Sequence, residues 1–387
     1  MGATRTERPP VTKRLRIVYV ADTVDGGLGG GIVSAGRFVR ALRAEHHVTL
    51  VASGGPADGK VPMPGFQLPI RAMTEMRFTF ARPRRRRLED AIRGADLVHL
   101  QYPFWLSFGA ARVARRLGVP VVAAFHVQPE NVLYNVGIRW RWLVRWLYRF
   151  WVKRLYGRAD GVICPSAFAA RKLEAYGLTT PTYVVSNGTN PRYTYAPAPR
   201  DPAWGDSFVI LMVGRLAREK RHDVVFEAIR RSRHAAKIRL VVAGAGPLEP
   251  ELHRRAADLP IAPRIGFVPD DELQRLLNSA DLFVHASDVE LEGMAVLEGT
   301  SCGLPVVVSD SAESAAQQFA LGPEFLFRAG DATSLADRID HFIDRPAELA
   351  AARERYHASA QGYRFEASLE QLLDAYAAVL RSKQPVE

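Results

Sequence analysis

Short runs of β-branched and aliphatic residues alternate with longer amphipathic segments through most of the chain. The first strand, the first helix and the second strand are predicted at residues 15–22, 34–45 and 47–53. Such alternation is typical of βαβ units, in which helices connect parallel strands and cover the sheet. Further strands are predicted in the first half of the chain at residues 96–100, 120–125, 161–166 and 182–187. The sequence therefore predicts an α/β fold built on parallel sheets.

A segment rich in Pro and Ala, residues 193–207, interrupts this pattern, and we interpret it as a linker between domains. The alternation then resumes, with strands predicted at 208–214, 238–246, 263–269, 281–287 and 303–309 and helices at 221–232 and 271–280. A chain of 387 residues is too long for a single core. We therefore expect two Rossmann-like domains, 1–192 and 208–364, with a ligand cleft between them. The amphipathic segment 365–382 should form a helix that crosses back to the first domain within a last unit, 365–387.

The charge of the chain is distributed unevenly. Residues 1–200 carry 31 basic and 12 acidic side chains, whereas residues 201–387 carry 21 and 29. The formal net charge of +11 therefore arises entirely from the first half. Such asymmetry indicates an anionic partner for that half, namely a membrane surface, a nucleic acid or a phosphorylated substrate, or it reflects a compositional bias towards arginine.

The two cysteines, Cys164 and Cys302, are too few for a disulfide framework or a four-cysteine zinc site. We therefore expect a reducing, cytoplasmic location. We expect no targeting segment, because the first residues are polar, and no apolar run reaches the roughly 18 residues that a membrane-spanning helix needs. Any contact with a membrane is thus predicted to be peripheral. The sequence does not define an oligomeric state.

A glycine-rich segment, residues 26–31, follows the first predicted strand. Glycines before a helix allow a ligand to approach the backbone and direct the first N–H groups of the helix towards an anion. The segment favours phosphate binding through Gly30 and Gly31, although a flexible turn is the alternative. The Walker pattern G-x-x-x-x-G-K-[ST] does not occur, which argues against P-loop nucleotide hydrolysis.

Two cations follow the first strand of the second half. Arg215 comes directly after Gly214, and Lys220 lies where the next helix is predicted to begin. The carboxyl end of a strand facing a helix N-terminus is where such sheets bind diphosphates, so the pair could neutralise a leaving diphosphate. A solvated charge cluster is the alternative reading of these residues taken alone.

The segment E-L-E-G-M-A-V-L-E, residues 290–298, is the most informative motif. If 294–301 is helical, Glu290 precedes the helix, Glu298 lies one turn inside it, and the amides of Gly293, Met294 and Ala295 point outward at its N-terminus. One carboxylate can then bind ribose hydroxyls and the other sugar hydroxyls, with phosphate held between them. A paired-carboxylate glycosidase is the rival interpretation, but it leaves the nearby cations unexplained.

The sequence resembles retaining glycosyltransferases of family 4, which have the GT-B fold and an E-x7-E motif. The resemblance covers nearly the whole chain and is carried by segments that occur in order: Gly30-Gly31-Ile32, Pro103-Phe104, Phe125-His126, V-V-S-N-G-T-N (184–190), V-G-R-L-A-R-E-K (213–220), A-G-A-G-P-L (243–248), G-F-V-P (266–269) and E-x7-E with its C-G-L-P-V-V tail (302–307). It implies a GT-B fold and transfer of a sugar from a nucleoside diphosphate.

The resemblance also implies roles for single positions. Arg215 and Lys220 match the cations on the donor diphosphate, and Glu298 matches the carboxylate on the ribose. Glu290 matches the carboxylate near the donor sugar, and His126 the histidine at the floor of the cleft. The other donor-side positions in matching segments are Gly30, Gly31, Gly214, Val268, Gly293, Met294 and Ala295.

Three positions depart from the family pattern. Asn190 stands where Asp is common, Thr189 where an aliphatic residue is common, and Glu292 where Phe is frequent. The additional carboxylate at Glu292 leaves the contacts to the donor sugar open.

The chemistry implied is transfer with retention and without a cofactor or metal. Departure of a nucleoside diphosphate develops negative charge that Arg215, Lys220 and helix amides can stabilise. No two aspartates are separated by a single residue, so the D-x-D metal motif of the other main glycosyltransferase fold is missing from the sequence. We expect a UDP- or GDP-sugar as donor. A GT-B epimerase is the non-transferase alternative, which E-x7-E disfavours.

Residues 139–158 contain four of the six tryptophans and seven basic residues, without an acid. On a helix, an apolar arc is formed by Trp140, Leu143, Val144, Leu147, Trp151 and Leu155. Arg141, Arg145, Arg149 and Lys153 line the opposite side, and Trp142 and Trp146 flank the arc, as expected of a helix that lies on an anionic membrane. The alternative is a helix that packs its tryptophans on the first domain's sheet. A second basic run at residues 82–87 precedes a strand and is predicted to join this surface, with a solvated face or a nucleic-acid patch as the alternatives.

The first domain handles the acceptor in this family, and the segment after His126, with Glu130 and Tyr134, would line the entrance. A basic, tryptophan-rich first domain favours a membrane glycolipid or lipid-linked saccharide as acceptor, with the enzyme on the inner face of the cytoplasmic membrane. A soluble saccharide or natural product is the alternative acceptor. A nucleic-acid-binding protein is the alternative of another class, but no recognised nucleic-acid module occurs, so no nucleic-acid partner is expected.

Overall fold

A computed structural model describes residues 14–24, 30–68, 74, 77–134, 137–138 and 140–383. The strands of the first half are β1 (Arg16–Val20), β2 (His47–Ser53), β3 (Lys60–Met63), β4 (Gly65–Phe66), β5 (Phe80–Ala81), β6 (Leu97–Leu100), β7 (Val121–Ala124), β8 (Gly161–Cys164) and β9 (Thr182–Val184). Seven of them form a parallel sheet in the order β3-β2-β1-β6-β7-β8-β9, and β4 and β5 pair with each other in antiparallel fashion.

Helices cover both faces of this sheet. They are α1 (Gly30–Glu45), α2 (Arg85–Ile92), α3 (Trp105–Arg116), α4 (Pro129–Tyr134), α5 (Arg141–Arg154) and α6 (Ala167–Ala175). Strand β1 shows the two faces: Val18 and Val20 pack in the cluster that contains α2 to α6, whereas Ile17 and Tyr19 pack against α1. A strand buried on both faces reads as a continuous apolar run, which is why these strands are recognisable in the sequence.

The second half contains a six-stranded parallel sheet. Its strands are β10 (Phe208–Val213), β11 (Ile238–Ala243), β12 (Arg264–Gly266), β13 (Leu282–His285), β14 (Val306–Ser309) and β15 (Leu326–Phe327), in the order β12-β11-β10-β13-β14-β15. The helices are α7 (His222–Arg231), α8 (Glu249–Arg255), α9 (Asp270–Ser279), α10 (Met294–Ser301), α11 (Ala332–Asp344), α12 (Pro346–Ala360) and α13 (Phe365–Arg381). The α/β fold with two parallel sheets is confirmed.

Helix α13 crosses back to the first half, as predicted. Its buried residues Leu372, Tyr376 and Val379 pack in the same cluster as β1 and α1. The hydroxyl of Tyr376 lies 2.8 Å from Nδ1 of His99 on β6, and both side chains are buried. Because a buried hydroxyl needs a partner, this contact fixes the position of α13 on the first sheet.

Some predicted elements differ from the observed ones. Helix α1 begins at Gly30, four residues before the predicted start, so Gly30 and Gly31 form its first turn rather than a loop. Glycines 26, 27 and 29 of the same segment lie outside the described residues. The basic run 82–87 leads into helix α2, not directly into a strand, and the segment after His126 contains helix α4. The boundaries 1–192, 193–207, 208–364 and 365–387 stay predictions.

Candidate active site

The order of the second sheet places a crevice at the carboxyl ends of β10 and β13. The connections from these adjacent strands lead in opposite directions across the sheet, and such switch points are where open α/β sheets bind ligands. Strand β10 is followed by Gly214, whose φ of +147° favours glycine, and then by a single-turn helix, Arg218–Lys220. Strand β13 is followed by the loop that carries Glu290. The cations and the first carboxylate predicted from the sequence therefore meet in one place.

Lys220 and Glu290 form an ion pair between Nζ and Oε1 at this crevice. Nε2 of His285, at the end of β13, lies 3.2 Å from the same oxygen. Burial disfavours the charged carboxylate, but Lys220 and the neighbouring His285 together hold the pKa of Glu290 well below its usual range. Burial also lowers the pKa of His285. Glu290 is therefore ionised at neutral pH and holds the ammonium group of Lys220 in place.

The turn that carries Lys220 is fixed to the loop after β13. Arg215 pairs with the buried carboxylate of Glu219, and the backbone oxygen of Glu219 accepts a hydrogen bond from the amide of Asp288 at 2.8 Å. Arg221 has a φ of +50°, a left-handed conformation that is uncommon for a residue other than glycine. Its guanidinium lies 3.2 Å from the Asp288 carboxylate, which stabilises the turn. Contacts made by the residues directly before and after Lys220 thus fix the turn that carries it.

Helix α10 begins at Met294 and ends at Ser301, the range predicted from the motif. Gly293 precedes it with a φ of +95°. A Cβ atom at Gly30 would lie 3.1 Å from Sδ of Met294, so the start of α1 in the first half closely approaches the start of α10 in the second. Ala295 is partly exposed beside it, whereas the side chain of Val268 is buried in the second core. The two helix N-termini therefore face one another across the cleft.

Two further carboxylates of the motif have altered acidity. Burial raises the pKa of Glu298 to about 7, and the positive charge of Arg37 on α1 opposes this shift. Burial also raises the pKa of Glu292 to about 7, against the hydrogen bonds that it accepts from Ser186 and Asn187. A carboxyl group that is protonated near neutral pH can donate as well as accept a hydrogen bond, which suits contact with ribose hydroxyls at Glu298.

His126 follows β7 at the carboxyl edge of the first sheet. The side chain is partly buried, and desolvation lowers its pKa to about 4, so its imidazole is neutral at physiological pH. Glu130 is buried, and its two oxygens contact the hydroxyl of Tyr148 at 2.8 Å and Nζ of Lys172 at 3.0 Å. Both oxygens of Glu130 are thus engaged within the protein, while Tyr134 is partly exposed at the end of α4.

Helix α5 exposes most of the tryptophans in its segment. The exposed fractions are 58% for Trp140, 63% for Trp142 and 53% for Trp146, whereas Trp151 is buried. Trp140 was predicted to lie in the apolar arc of this helix, but it precedes the first helical residue and is exposed, so it does not continue that arc. The alternative in which the tryptophans pack on the sheet holds for Trp151 alone.

The exposed side of α5 forms a basic aromatic face, which we define as Trp140, Arg141, Trp142, Arg145, Trp146, Arg149 and Phe150. The rings stack in pairs: Trp140 on Trp142 with centroids 5.9 Å apart, and Trp146 on Phe150 at 5.3 Å. Among the described residues, none of the helices combines the length and the apolar character needed to cross a membrane.

Comparison with known proteins decides the class of the chain. Residues 28–193 match the family described as Glycosyltransferase Family 4, and residues 198–361 match the family described as Glycosyl transferases group 1. The chain is a glycosyltransferase. Its GT-B fold is shared with the crystal structure of HepE from Anabaena in complex with UDP and glucose, with a TM-score of 0.73 and 17% identity. That match covers 94% of this glycosyltransferase and 100% of the other chain.

Two curated relatives are similar in sequence to this glycosyltransferase. The GDP-mannose-dependent alpha-mannosyltransferase of Mycobacterium tuberculosis is 28% identical over 308 residues, which are 76% of each chain. The alpha-monoglucosyldiacylglycerol synthase of Streptococcus pneumoniae is 26% identical over 227 residues. That second match covers 55% of this chain and 51% of the relative, about half of each protein.

Several residues of the site were not identified from the sequence. His285 lies in the predicted strand 281–287, near the edge where ligands bind, so its position was a usable signal. Asn187 ends the predicted strand 182–187 and lies in a segment of the resemblance, so it carried a similar signal, whereas Arg37 did not, because it reaches the E-x7-E segment from a helix far away in the chain. The same holds for Lys172, which lies beside Glu130 and pairs with Glu313 of the second half.

Proposed function

We propose that this glycosyltransferase moves a hexose from a UDP- or GDP-sugar to a membrane glycolipid or lipid-linked saccharide, with retention of configuration and without a metal ion. The observation that carries the proposal is the convergence of Lys220, Glu290 and the N-terminus of α10 at the switch point of the second sheet. A nucleoside diphosphate sugar offers matching groups: a diphosphate for the cation and amides, and hydroxyls for the carboxylates.

The leaving group is the part of the reaction that these residues serve. The bond between the anomeric carbon and the phosphate oxygen breaks, and negative charge grows on the nucleoside diphosphate. The ammonium group of Lys220, the guanidinium of Arg215 and the free amides at the start of α10 stabilise that charge. Because this positive charge comes from the protein, the reaction does not require a divalent cation for the leaving group.

The acceptor side completes the exchange. The acceptor hydroxyl forms a new bond to the anomeric carbon on the face that the diphosphate leaves, and its proton passes to the departing phosphate oxygen. Glu290, as an anion, orients hydroxyls of the donor sugar, and Glu298 binds the ribose. His126 stays neutral, so it can hydrogen-bond the sugar without adding a charge that would compete for the diphosphate.

A lipid acceptor is supported by the basic aromatic face of α5 and by the relatives. The pneumococcal relative is named as a diacylglycerol glycoside synthase, and another relative, 35% identical over 39% of this chain, as a phosphatidylinositol dimannoside mannosyltransferase. Exposed tryptophans beside arginines suit the interface of an anionic membrane, with indole rings at the headgroup level and guanidinium groups on phosphates.

A second basic segment adjoins this face and enlarges it. The guanidinium of Arg82 lies over the ring of Phe66 at 5.1 Å, and Phe66 contacts the exposed Trp105 at the start of α3. Further along α3, Phe108 contacts Phe150 of the basic aromatic face at 5.7 Å. We propose that α3 and α5 together dock the enzyme on the cytoplasmic side of the membrane, where the acceptor is presented to the first domain.

A donor screen tests the proposed function. Thermal unfolding of the protein is followed with GDP-mannose, UDP-glucose and the free nucleotides, and hydrolysis or transfer is measured with and without EDTA. We expect one nucleoside diphosphate sugar to raise the unfolding temperature and to be turned over equally in EDTA. The absence of any stabilisation by these donors would contradict the proposed donor class, and loss of turnover in EDTA would contradict metal independence.

A further inference from the structure

Glu292 is the buried carboxylate between the two glutamates of the E-x7-E segment, with 3% of its surface exposed. Its oxygens accept hydrogen bonds from the hydroxyl of Ser186, from the backbone amide of Asn187 at 3.2 Å and from Nδ2 of Asn187 at 2.6 Å. A buried carboxylate is costly unless donors surround it, and here three donors do so. The contacts are therefore specific to an acid at this position.

These hydrogen bonds connect the two halves of the enzyme. Ser186 and Asn187 follow β9 of the first sheet, whereas Glu292 belongs to the loop of the second half that carries Glu290. Oδ1 of Asn187 in turn accepts a hydrogen bond from the hydroxyl of Ser34 on α1 at 2.7 Å. A continuous chain of buried polar groups thus leads from α1, through Asn187, to the E-x7-E loop.

Neighbouring contacts hold the same loop. The backbone oxygen of Leu291 accepts a hydrogen bond from the hydroxyl of Ser166, which also caps α6 of the first half. The backbone amide of Glu290 donates to the oxygen of Glu313 at 3.2 Å, and the Glu313 carboxylate pairs with Lys172 on α6. The loop is therefore docked on the first half at three points, and at one of them the side chain of Glu292 is buried against Ser186 and Asn187.

We propose that Glu292 is a positioning residue that holds the Glu290 loop against the first half and so sets the alignment of the donor side with the acceptor side. The assignment of those two sides rests on the proposed function, but the docking of the loop does not. Glu292 acts through Asn187 and the loop backbone, and the donor-binding groups Lys220, Glu290 and Glu298 stay together on the second half.

A reversal of hydrogen-bond polarity tests this role. Asn187→Asp removes the Nδ2 donor and places a second carboxyl group opposite Glu292; at pH 8.5, above the pKa of about 7 that burial gives Glu292, the two carboxylates should repel one another and loosen the loop. Glu292→Gln alone is a milder change, because the side-chain amide of Asn187 can turn to offer its oxygen. The double variant Asn187→Asp with Glu292→Gln restores one donor facing one acceptor. Asp340→Asn is the matched control, because Asp340 is a buried carboxylate that is hydrogen-bonded to Ser232 within the second half.

Two readouts separate positioning from general stability. Spin labels on Arg112→Cys and His253→Cys, one exposed site on each half, report the interdomain distance, since both native cysteines are buried. This measurement needs no substrate, so it stands even if the proposed reaction fails. Initial rates then give kcat and the KM for the nucleotide sugar separately.

We expect Asn187→Asp to broaden the interdomain distance distribution and to lower kcat by roughly tenfold or more, as small misalignments do, with the donor KM within about twofold of the wild type. The double variant should recover the wild-type distance and most of the rate. Asp340→Asn should change neither the distance nor kcat. A wild-type distance distribution in Asn187→Asp, or a double variant no better than Asn187→Asp, would overturn the proposal.

Discussion

Lys220 owes its position to charges on both sides of its turn. Its ammonium group pairs with Glu290, and the following residue, Arg221, adopts a left-handed conformation stabilised by Asp288. The left-handed backbone of Arg221 costs free energy, and strained backbone of this kind is found mainly at functional sites. In the proposed reaction the pairing with Glu290 preorganises the ammonium for a phosphate oxygen, and a preorganised cation lowers the barrier to departure of an anion.

Lys220→Ala should lower kcat by at least roughly 10²-fold, because removal of one preorganised positive group from a developing anion has costs of that size. Initial rates at saturating donor measure the change. Lys237→Ala, an exposed lysine of the same half, is the control and should keep the wild-type rate. Near wild-type turnover in Lys220→Ala would remove this residue from the leaving-group site.

Residues of the sequence motifs that follow neighbouring strands could be predicted to form one site, because the carboxyl ends of parallel strands meet at one edge of a sheet. This reasoning predicted Arg215 and Lys220 at a diphosphate, and the family resemblance assigned Glu290 and Glu298 to the same donor. It did not reveal that Glu292 would bond to Asn187, since contacts between distant segments depend on how the two halves dock. Nor did it reveal that the oxygens of Glu130 are engaged by Tyr148 and Lys172.

Helix α5 packs on its own domain with one side and leaves the other side exposed. A spacing of three and four residues places Trp142, Arg145, Trp146 and Arg149 on one side, while Val144, Tyr148 and Trp151 pack inward. The pattern predicted this division well, apart from Trp140. Eleven of the strands were predicted, but the short strands β3, β4, β5 and β15 were missed. Helices α2, α3, α4, α6, α8, α11 and α12 were not predicted either; α2 begins in an arginine run and α3 in an aromatic segment.

The double variant Trp142→Ser with Trp146→Ser should lose most of its binding to anionic vesicles while keeping its thermal stability, because both rings are more than half exposed. Co-sedimentation at about 0.15 M salt, where weak long-range attraction is screened, measures the binding. A triple variant of Arg141, Arg145 and Arg149 to Gln tests the charged part of the face.

The matched control removes the same charge elsewhere. Lys237, Arg254 and Arg275 are exposed on the second half, and their triple change to Gln should leave vesicle binding unaltered. Equal loss in both triple variants would show that net charge alone, and not the basic aromatic face, draws the protein to the membrane. Wild-type binding in the tryptophan variant would contradict docking through α5.

At the level of the whole molecule, helix α13 connects the end of the second half to the sheet of the first. His99 is the centre of this contact: its ring stacks on Tyr19 at 4.3 Å, and Nδ1 lies 2.8 Å from the hydroxyl of Tyr376. Burial lowers the pKa of His99 to about 3. The crossing of the chain was predictable from the amphipathic pattern of its last helix, but the histidine that anchors it was not.

The low pKa of His99 makes the stability of the crossing depend on pH. Between pH 6.5 and 3 the unfolded chain binds a proton on this histidine that the folded chain does not, so the free energy of unfolding falls as the pH falls, by about 1.4 kcal/mol per pH unit for one such group. His99→Gln removes this contribution. The amount by which the free energy of unfolding of His99→Gln lies below that of the wild type should therefore be smaller at pH 5 than at pH 7.5, by about 2 kcal/mol.

Urea unfolding of the wild type and of His99→Gln at the two pH values measures this difference. His253→Gln, at an exposed position, is the control and should show the same small difference from the wild type at both. If the difference in the free energy of unfolding between the wild type and His99→Gln did not change with pH, His99 would titrate normally in the folded protein.

The proposed reaction, transfer of a hexose to a membrane lipid with retention of configuration, can be measured directly. The enzyme is incubated with GDP-mannose or UDP-glucose, carrying a label in the sugar, and with membrane lipids in anionic vesicles. The lipid phase is then analysed by mass spectrometry and the new linkage by NMR. We predict a labelled glycolipid whose anomeric configuration is that of the donor. Label confined to a soluble saccharide, or a linkage of inverted configuration, would contradict this proposal.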